Sequence, residues 1–73
     1  MSLHKKILVI GSNGQIGTVL TNKLAKKYGY KNVIGSDLRF PEHKTKFIFE
    51  ACSVLDKNKL EYIIDKYKIT DVY

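Results

Sequence analysis

Three glycines, each separated from the next by two residues, follow a short aliphatic run near the start of the chain. They are Gly11, Gly14 and Gly17, and the run before them is Ile7–Ile10. A turn between a strand and a helix can bind phosphate, because the first turn of the helix offers unpaired N–H groups and a positive partial charge. We expect Gly11 to make a tight turn, Gly14 to let phosphates approach the backbone, and Gly17 to let the helix pack closely on the sheet. The position of the glycines between a strand and a helix predicts a pyrophosphate site, although their spacing differs from the general Gly-x-Gly-x-x-Gly fingerprint.

A carboxylate stands where a second contact to such a ligand is needed. Asp37 lies 20 residues after Gly17 (37 − 17) and ends a short apolar segment. A carboxylate there can accept hydrogen bonds from the adenosine ribose hydroxyls of a dinucleotide. It would also repel the additional phosphate of NADP, so the expected cofactor is NAD, although Arg39 nearby softens that preference. No Gly-Lys-Ser/Thr follows the glycines, which excludes a P-loop.

The hydrophobic pattern supplies the elements that must position these residues. Ile7–Ile10 predicts a strand buried on both faces, and residues 33–36 and 46–50 predict two more strands. Residues 69–73 predict a fourth strand, interrupted at Tyr73. One apolar stripe predicts a helix that Gly29 ends, and its residues are Ile16, Val19, Leu20, Leu24 and Tyr28.

A second helix is predicted from a capping box formed by Asn58 and Glu61. Its apolar stripe comprises Leu60, Ile63, Ile64 and Tyr67. The order β-α-β-β-α-β predicts the N-terminal half of a Rossmann doubly wound parallel α/β sheet, with strand order 3-2-1-4 and helices on both faces. We expect residues 1–73 to form one partial domain, with a ligand crevice beside the Gly11 turn.

The charge and the remaining reactive residues predict no other site. Basic residues outnumber acidic ones by 13 to 7, but they are scattered without a run, which indicates a solvated surface. His4 and His43 have no partners at ligand spacing, so we expect surface histidines and no metal. The single cysteine, Cys52, excludes an internal disulfide. The pattern shows neither a secretory signal nor a membrane span, so a cytoplasmic location is expected.

The glycine spacing resembles that of the extended short-chain dehydrogenase/reductase family, whose members share a Gly-x-x-Gly-x-x-Gly turn. Within it, residues 14–17, 28–39 and 68–73 are similar to the short-chain type of L-threonine dehydrogenases. The resemblance implies that Gly11, Ser12, Asn13, Gly14, Gln15 and Ile16 line the pyrophosphate. It also implies that Asp37, Leu38 and Arg39 line the adenosine ribose, and that Leu55 and Asp56 lie at the adenine edge. The alternative role for Asp56 is to compensate the dipole of the second helix, because it is an acid shortly before that helix.

By the same resemblance the chain is the NAD-binding portion of an oxidoreductase. In its complete form it would oxidise L-threonine, a small-molecule substrate, to 2-amino-3-oxobutanoate. We expect it to act as a homo-oligomer, a dimer. The family's catalytic Tyr-x-x-x-Lys spacing occurs at Tyr62 and Lys66. Because both fall opposite the apolar stripe of their helix, we expect them to face solvent and the chain to hold no catalytic residue.

Two other functions stay open from the sequence. One is a nucleotide-sugar epimerase or reductase of the same family, which residues beyond Tyr73 would distinguish. The other is a non-enzymatic basic module that binds nucleic acid or another phosphorylated partner. That module would bind with a strong salt dependence, whereas NAD binding would be saturable and would depend little on salt. No basic stripe with interleaved aromatic residues favours it, so we expect neither nucleic acid nor a membrane as partner.

Overall fold

The computed structural model describes residues 5–73, so His4 lies outside the described residues. The elements alternate as the sequence predicts. In chain order they are β1 (Ile7–Ile10), α1 (Gln15–Tyr28), a 3₁₀ turn (Tyr30–Asn32), β2 (Val33–Asp37), β3 (Ile48–Ala51), α2 (Lys57–Tyr67) and β4 (Asp71–Val72).

The four strands form one parallel sheet in the order β3-β2-β1-β4, which confirms the predicted topology. Ile7 pairs with Val33 on one side and with Asp71 on the other, so β1 is central. The carboxyl ends of β1 and β2 meet at one edge of the sheet, with Ile10 opposite Ser36. This edge is where the glycine turn and Asp37 are brought together.

Helices cover both faces of the sheet, as predicted. Ile7 and Val9 of β1 pack with Leu24 and Ala25 of α1 on one face. Leu8, between them in sequence, packs with Ile63 of α2 on the other face. Successive side chains of a strand point to opposite faces, so a continuous aliphatic run serves two cores at once.

The inner face of α1 differs from the predicted stripe. Ile16 is 84% exposed and Val19 is 60% exposed, whereas Thr21, Leu24 and Ala25 are buried. The reason lies at Gly17, which contacts the backbone of the glycine turn and thereby sets which line of the helix faces inward. The helix is thus rotated from the orientation that its hydrophobic residues alone indicate, and two large aliphatic side chains stay outside.

The predicted beginnings of β3 and α2 are also corrected. β3 begins at Ile48 rather than at residue 46, although Phe47 is buried. α2 begins at Lys57, one residue before the predicted cap, because the Asp56 carboxylate accepts a hydrogen bond from the backbone N–H of Lys59 at 3.0 Å. Asp56 therefore caps the helix, and the Asn58–Glu61 capping box does not form.

The Glu50 carboxylate connects β3 to α2 through hydrogen bonds. Glu50 on β3 accepts hydrogen bonds from the Tyr67 hydroxyl at 2.5 Å and from Lys66 Nζ at 3.1 Å, and Lys59 Nζ lies 3.9 Å away. The Glu50 side chain is only 15% exposed. The hydrogen bond from Tyr67, together with the two lysines, lowers the pKa of Glu50 although partial burial opposes the shift. The ionised form of Glu50 therefore holds the second helix in place.

This contact predicts an acid-sensitive component of stability. Because the pKa of Glu50 is lower in the folded state than in the unfolded state, its contribution is present above the unfolded pKa of about 4.3 and is lost as the pH falls through the lower folded pKa. We expect the melting-temperature difference between wild type and Glu50→Gln to narrow as the pH decreases from 6 toward about 3. Tyr67→Phe removes the main cause of the lowered pKa. In that variant the stabilising contribution of Glu50 should therefore begin to be lost at a higher pH than in wild type. A difference that stayed constant with pH would contradict this account.

Candidate cofactor site

The turn after β1 is fixed to the end of β2 by its backbone. The N–H groups of Gly11 and Ser12 both donate to the carbonyl of Ser36, at 2.8 and 3.1 Å. Gly11 has a φ of +80°, a left-handed conformation that favours glycine. A Cβ on Gly17 would lie 2.0 Å from the Gly11 carbonyl oxygen. Gly17 is thus required by contact with the turn itself, rather than with the sheet as its position suggested.

The first turn of α1 has N–H groups free to bind a ligand. The first backbone hydrogen bond of the helix runs from Thr18 N–H to Gly14 O at 2.8 Å. Across residues 5–73, no hydrogen bond is formed by the N–H groups of Gln15, Ile16 and Gly17. No acidic residue lies in this turn to neutralise its positive end. These three N–H groups can therefore bind an anion without breaking an existing bond.

Gly14 differs from Gly17 because nothing within the described protein requires it. A Cβ there would meet only Gly11 O, at the ordinary contact distance of 3.6 Å. Its φ of −69° is open to other residues. The absence of a side chain instead leaves the backbone accessible from outside, as a phosphate group needs.

Asp37 lies next to this turn. Its Oδ2 accepts the Asn13 N–H at 3.0 Å, and its Oδ1 accepts the Leu38 N–H at 2.8 Å. A carboxylate has about four acceptor positions, so each oxygen keeps one for an external donor. Two ribose hydroxyls are donors of the right kind and number. The structure brings the predicted acid and the predicted turn together.

Ser12 is placed differently from the other residues of the turn. Its side chain is buried, and its Oγ has no partner among the described residues. A Cβ added at Gly35 would lie 2.7 Å from this Oγ, so Ser12 packs over β2. Its carbonyl accepts a hydrogen bond from Thr18 Oγ1 at 3.1 Å. Contact of Ser12 with a pyrophosphate stays a prediction, since its N–H is already bonded.

Exposed apolar side chains stand at the ends of β2 and β3. Leu38 is 70% exposed and Leu55 is 89% exposed. The two loops leave the same edge of the sheet, where Cys52 N–H donates to Asp37 O at 2.8 Å. Such side chains suit the faces of a flat base. Asp56, predicted beside Leu55, also caps α2 through Oδ1, so its role at an adenine stays a prediction.

A cavity of about 870 Å³ lies beside this site, between α1 and residues 39–47. Asn13 and Arg39 are on its border, but Gln15 and Ile16 do not line it. The cavity is therefore next to the free N–H groups rather than over them, and its volume does not define the site. Its lining is basic, with one carboxylate, Glu42, against Lys26, Arg39, Lys44 and Lys46.

The residues that only resemble catalytic ones lie on α2 and in the segment between β2 and β3. Tyr62 is more than half exposed on α2, and Lys66 is bonded to Glu50 on β3. His43 is exposed in the segment between β2 and β3. Residues 5–73 contain no group of three His, Cys, Asp or Glu side chains that could hold a metal ion. Within the same residues no helix is long and apolar enough to cross a membrane.

The residues at this edge of the sheet fit a dinucleotide. Three N–H groups at the start of α1 have no partner among the described residues, and the Asp37 carboxylate, which has spare acceptor positions, is hydrogen-bonded to Asn13 of the adjoining turn. The strand order reverses beside β1. This arrangement is that of the nucleotide-binding Rossmann class. Residues 7–73 match the NAD dependent epimerase/dehydratase family, and the chain belongs to that family.

The chain is similar to proteins several times its length. It is 37% identical over 67 residues to an uncharacterized epimerase/dehydratase of Staphylococcus saprophyticus, covering 88% of this chain and 21% of that protein. It is 42% identical to the solved L-threonine dehydrogenase of Clostridium difficile, with a TM-score of 0.87, covering 97% of this chain and 23% of the other. A monomeric L-threonine 3-dehydrogenase from a metagenome, solved in its apo form, is 45% identical with a TM-score of 0.85, over 92% of this chain and 21% of the other. The chain thus spans about a fifth of the length of these relatives.

Proposed function

We propose that this chain binds NAD for a dehydrogenase. The observation that supports the proposal is the group of unpaired N–H donors at Gln15, Ile16 and Gly17, which follows a turn whose Asn13 N–H is hydrogen-bonded to the Asp37 carboxylate. The pyrophosphate lies over these donors, with the turn from Gly11 to Gly14 beneath it. The ribose binds Asp37, flanked by Leu38 and Arg39. The adenine lies between Leu38 and Leu55, with Asp56 at its edge.

Within the full-length protein, the reaction we propose is oxidation of L-threonine to 2-amino-3-oxobutanoate. The similarity to two solved threonine dehydrogenases supports this substrate. When bound, NAD supplies the hydride acceptor for the carbon that carries the hydroxyl group. The residues of this chain contribute by binding and orienting the cofactor. The groups that take the hydroxyl proton lie outside it, since Tyr62 is exposed on α2 and Lys66 is bonded to Glu50.

The test is a pair of measurements on the full-length protein. Incubation with L-threonine and NAD should produce NADH and 2-amino-3-oxobutanoate in equal amounts, and NADP should support a much slower reaction. Saturable NAD binding without threonine oxidation would reject the substrate but keep the cofactor. Failure of NAD to bind, or binding to nucleic acid that weakens steeply with salt, would reject the proposal altogether.

A second candidate is interconversion of nucleotide sugars, favoured by the family's description as epimerases and dehydratases. Such an enzyme would use the same cofactor site without net formation of NADH. Conversion of a nucleotide sugar with no activity on threonine would select it. Measuring the molecular mass of the purified protein in solution also tests whether it is the expected dimer. One solved neighbour is described as monomeric.

A further inference from the structure

Asn13 makes two hydrogen bonds that both reach from the turn after β1 to the segment after β2. Its backbone N–H donates to Asp37 Oδ2 at 3.0 Å, and its side-chain Nδ2 donates to the Arg39 carbonyl at 2.6 Å. Leu38 donates its own N–H to the other oxygen of Asp37. One residue of the glycine turn therefore holds both ends of the 37–39 segment.

We propose that Asn13 is a positioning residue that preorganises the ribose acceptor, rather than only a lining residue of the pyrophosphate site. The inference rests on the proposed binding of NAD. Two N–H donors on opposite oxygens fix the orientation of the Asp37 carboxylate. The hydrogen bond from the Asn13 side-chain amide to the Arg39 carbonyl then keeps the chain beyond Asp37 from moving away. A ligand that finds these groups already in place does not have to order them on binding.

The side chain at position 13 must be a short hydrogen-bond donor to do this. Alanine keeps the backbone bond to Asp37 but frees the Arg39 carbonyl. Aspartate has nearly the same shape as asparagine, but its carboxylate cannot donate to a carbonyl and adds a negative charge beside Asp37. Asn13 is exposed, so neither change should unfold the protein. Asn22 offers a matched control, because its Nδ2 also donates to a carbonyl, that of Thr18 at 3.0 Å, but within α1.

The experiment is calorimetric titration of full-length wild type, Asn13→Ala, Asn13→Asp and Asn22→Ala with NAD, ADP-ribose and nicotinamide mononucleotide. We expect Asn13→Ala to weaken NAD and ADP-ribose about three- to tenfold, the range for loss of one hydrogen bond. Asn13→Asp should weaken them at least as much. Nicotinamide mononucleotide, which lacks the adenosine ribose, should bind both variants as it binds wild type. Asn22→Ala should match wild type for every ligand.

The outcomes separate this inference from the proposed function. If wild type binds NAD and Asn13→Ala binds it with equal affinity, the positioning role is overturned and the proposed cofactor site is retained. An equal loss for ADP-ribose and nicotinamide mononucleotide would also overturn it, because a general distortion of the turn would then be the cause. Wild type that fails to bind NAD would overturn both.

Discussion

Gly17→Ala should both destabilise the protein and abolish most of its affinity for NAD. The added Cβ would lie 2.0 Å from the carbonyl oxygen and 2.9 Å from the carbonyl carbon of Gly11. Both are backbone atoms that cannot rotate aside, so α1 or the turn must shift. We expect the free energy of unfolding to fall by about 2–3 kcal/mol, as for overpacked interiors. The shift also misaligns at least two N–H donors, so NAD affinity should fall about 100-fold.

Gly14→Ala is the matched variant for this test. Its Cβ would meet only an ordinary contact at 3.6 Å, so the loss of stability should stay below about 1 kcal/mol. NAD affinity should still fall, by about tenfold, because the methyl group occupies space that the phosphates need. Urea unfolding and NAD titration of both variants measure the two effects separately. Equal stability of Gly17→Ala and wild type would contradict the close contact between α1 and the turn.

Asp37→Asn should weaken NAD about 30-fold and narrow the preference for NAD over NADP. Removing the charge weakens hydrogen bonds from both ribose hydroxyls, each worth about 1.5–3 kcal/mol with a charged acceptor. The amide also directs an NH2 group toward one of two backbone donors, from Asn13 or Leu38, that the carboxylate now satisfies. NADP should lose less affinity, because the repulsion of its additional phosphate disappears.

The measurement is titration of both cofactors into wild type and Asp37→Asn. Arg39→Ala serves as the companion variant, since the sequence predicts that Arg39 weakens the preference for NAD over NADP. It should lower affinity for NADP more than for NAD. An Asp37→Asn protein that binds NAD as tightly as wild type would show that the carboxylate does not contact the ribose.

Much of the fold follows from local patterns in the sequence. The aliphatic run of β1 specifies a strand buried on both faces, and Gly29 ends α1 where predicted, with its N–H bonded to Ala25 O. The orientation of α1 does not follow from its own residues. Ile16 and Val19 complete a convincing apolar stripe, yet the contact between Gly17 and the Gly11 backbone decides which line of the helix is buried. A tertiary contact therefore overrides the local hydrophobic pattern.

At the candidate site, too, some features follow from the sequence and others depend on tertiary contacts. The sequence predicts the glycine turn and Asp37 from their types and spacing, and parallel strands bring them to one edge of the sheet. The hydrogen bonds of Asn13 could not be predicted, because they depend on the relative position of two loops. Their partners, Asp37 and Arg39, lie 24 and 26 residues further along the chain. The N–H of Gly17 has no partner among the described residues and joins those of Gln15 and Ile16, whereas the residues that the sequence predicts for the pyrophosphate end at Ile16. The Asp56 cap was overlooked because Asn58 offered a competing motif nearby.

The central claim is that the N–H groups at the start of α1 hold the cofactor's pyrophosphate. Titration of NAD into the ¹⁵N-labelled full-length protein, followed through its amide resonances, tests it most directly. We expect saturable shifts at Gln15, Ile16 and Gly17, joined by Leu38 and Arg39, with little change at Lys59 in the first turn of α2. Saturable binding that leaves the amides of Gln15, Ile16 and Gly17 unmoved would contradict the claim.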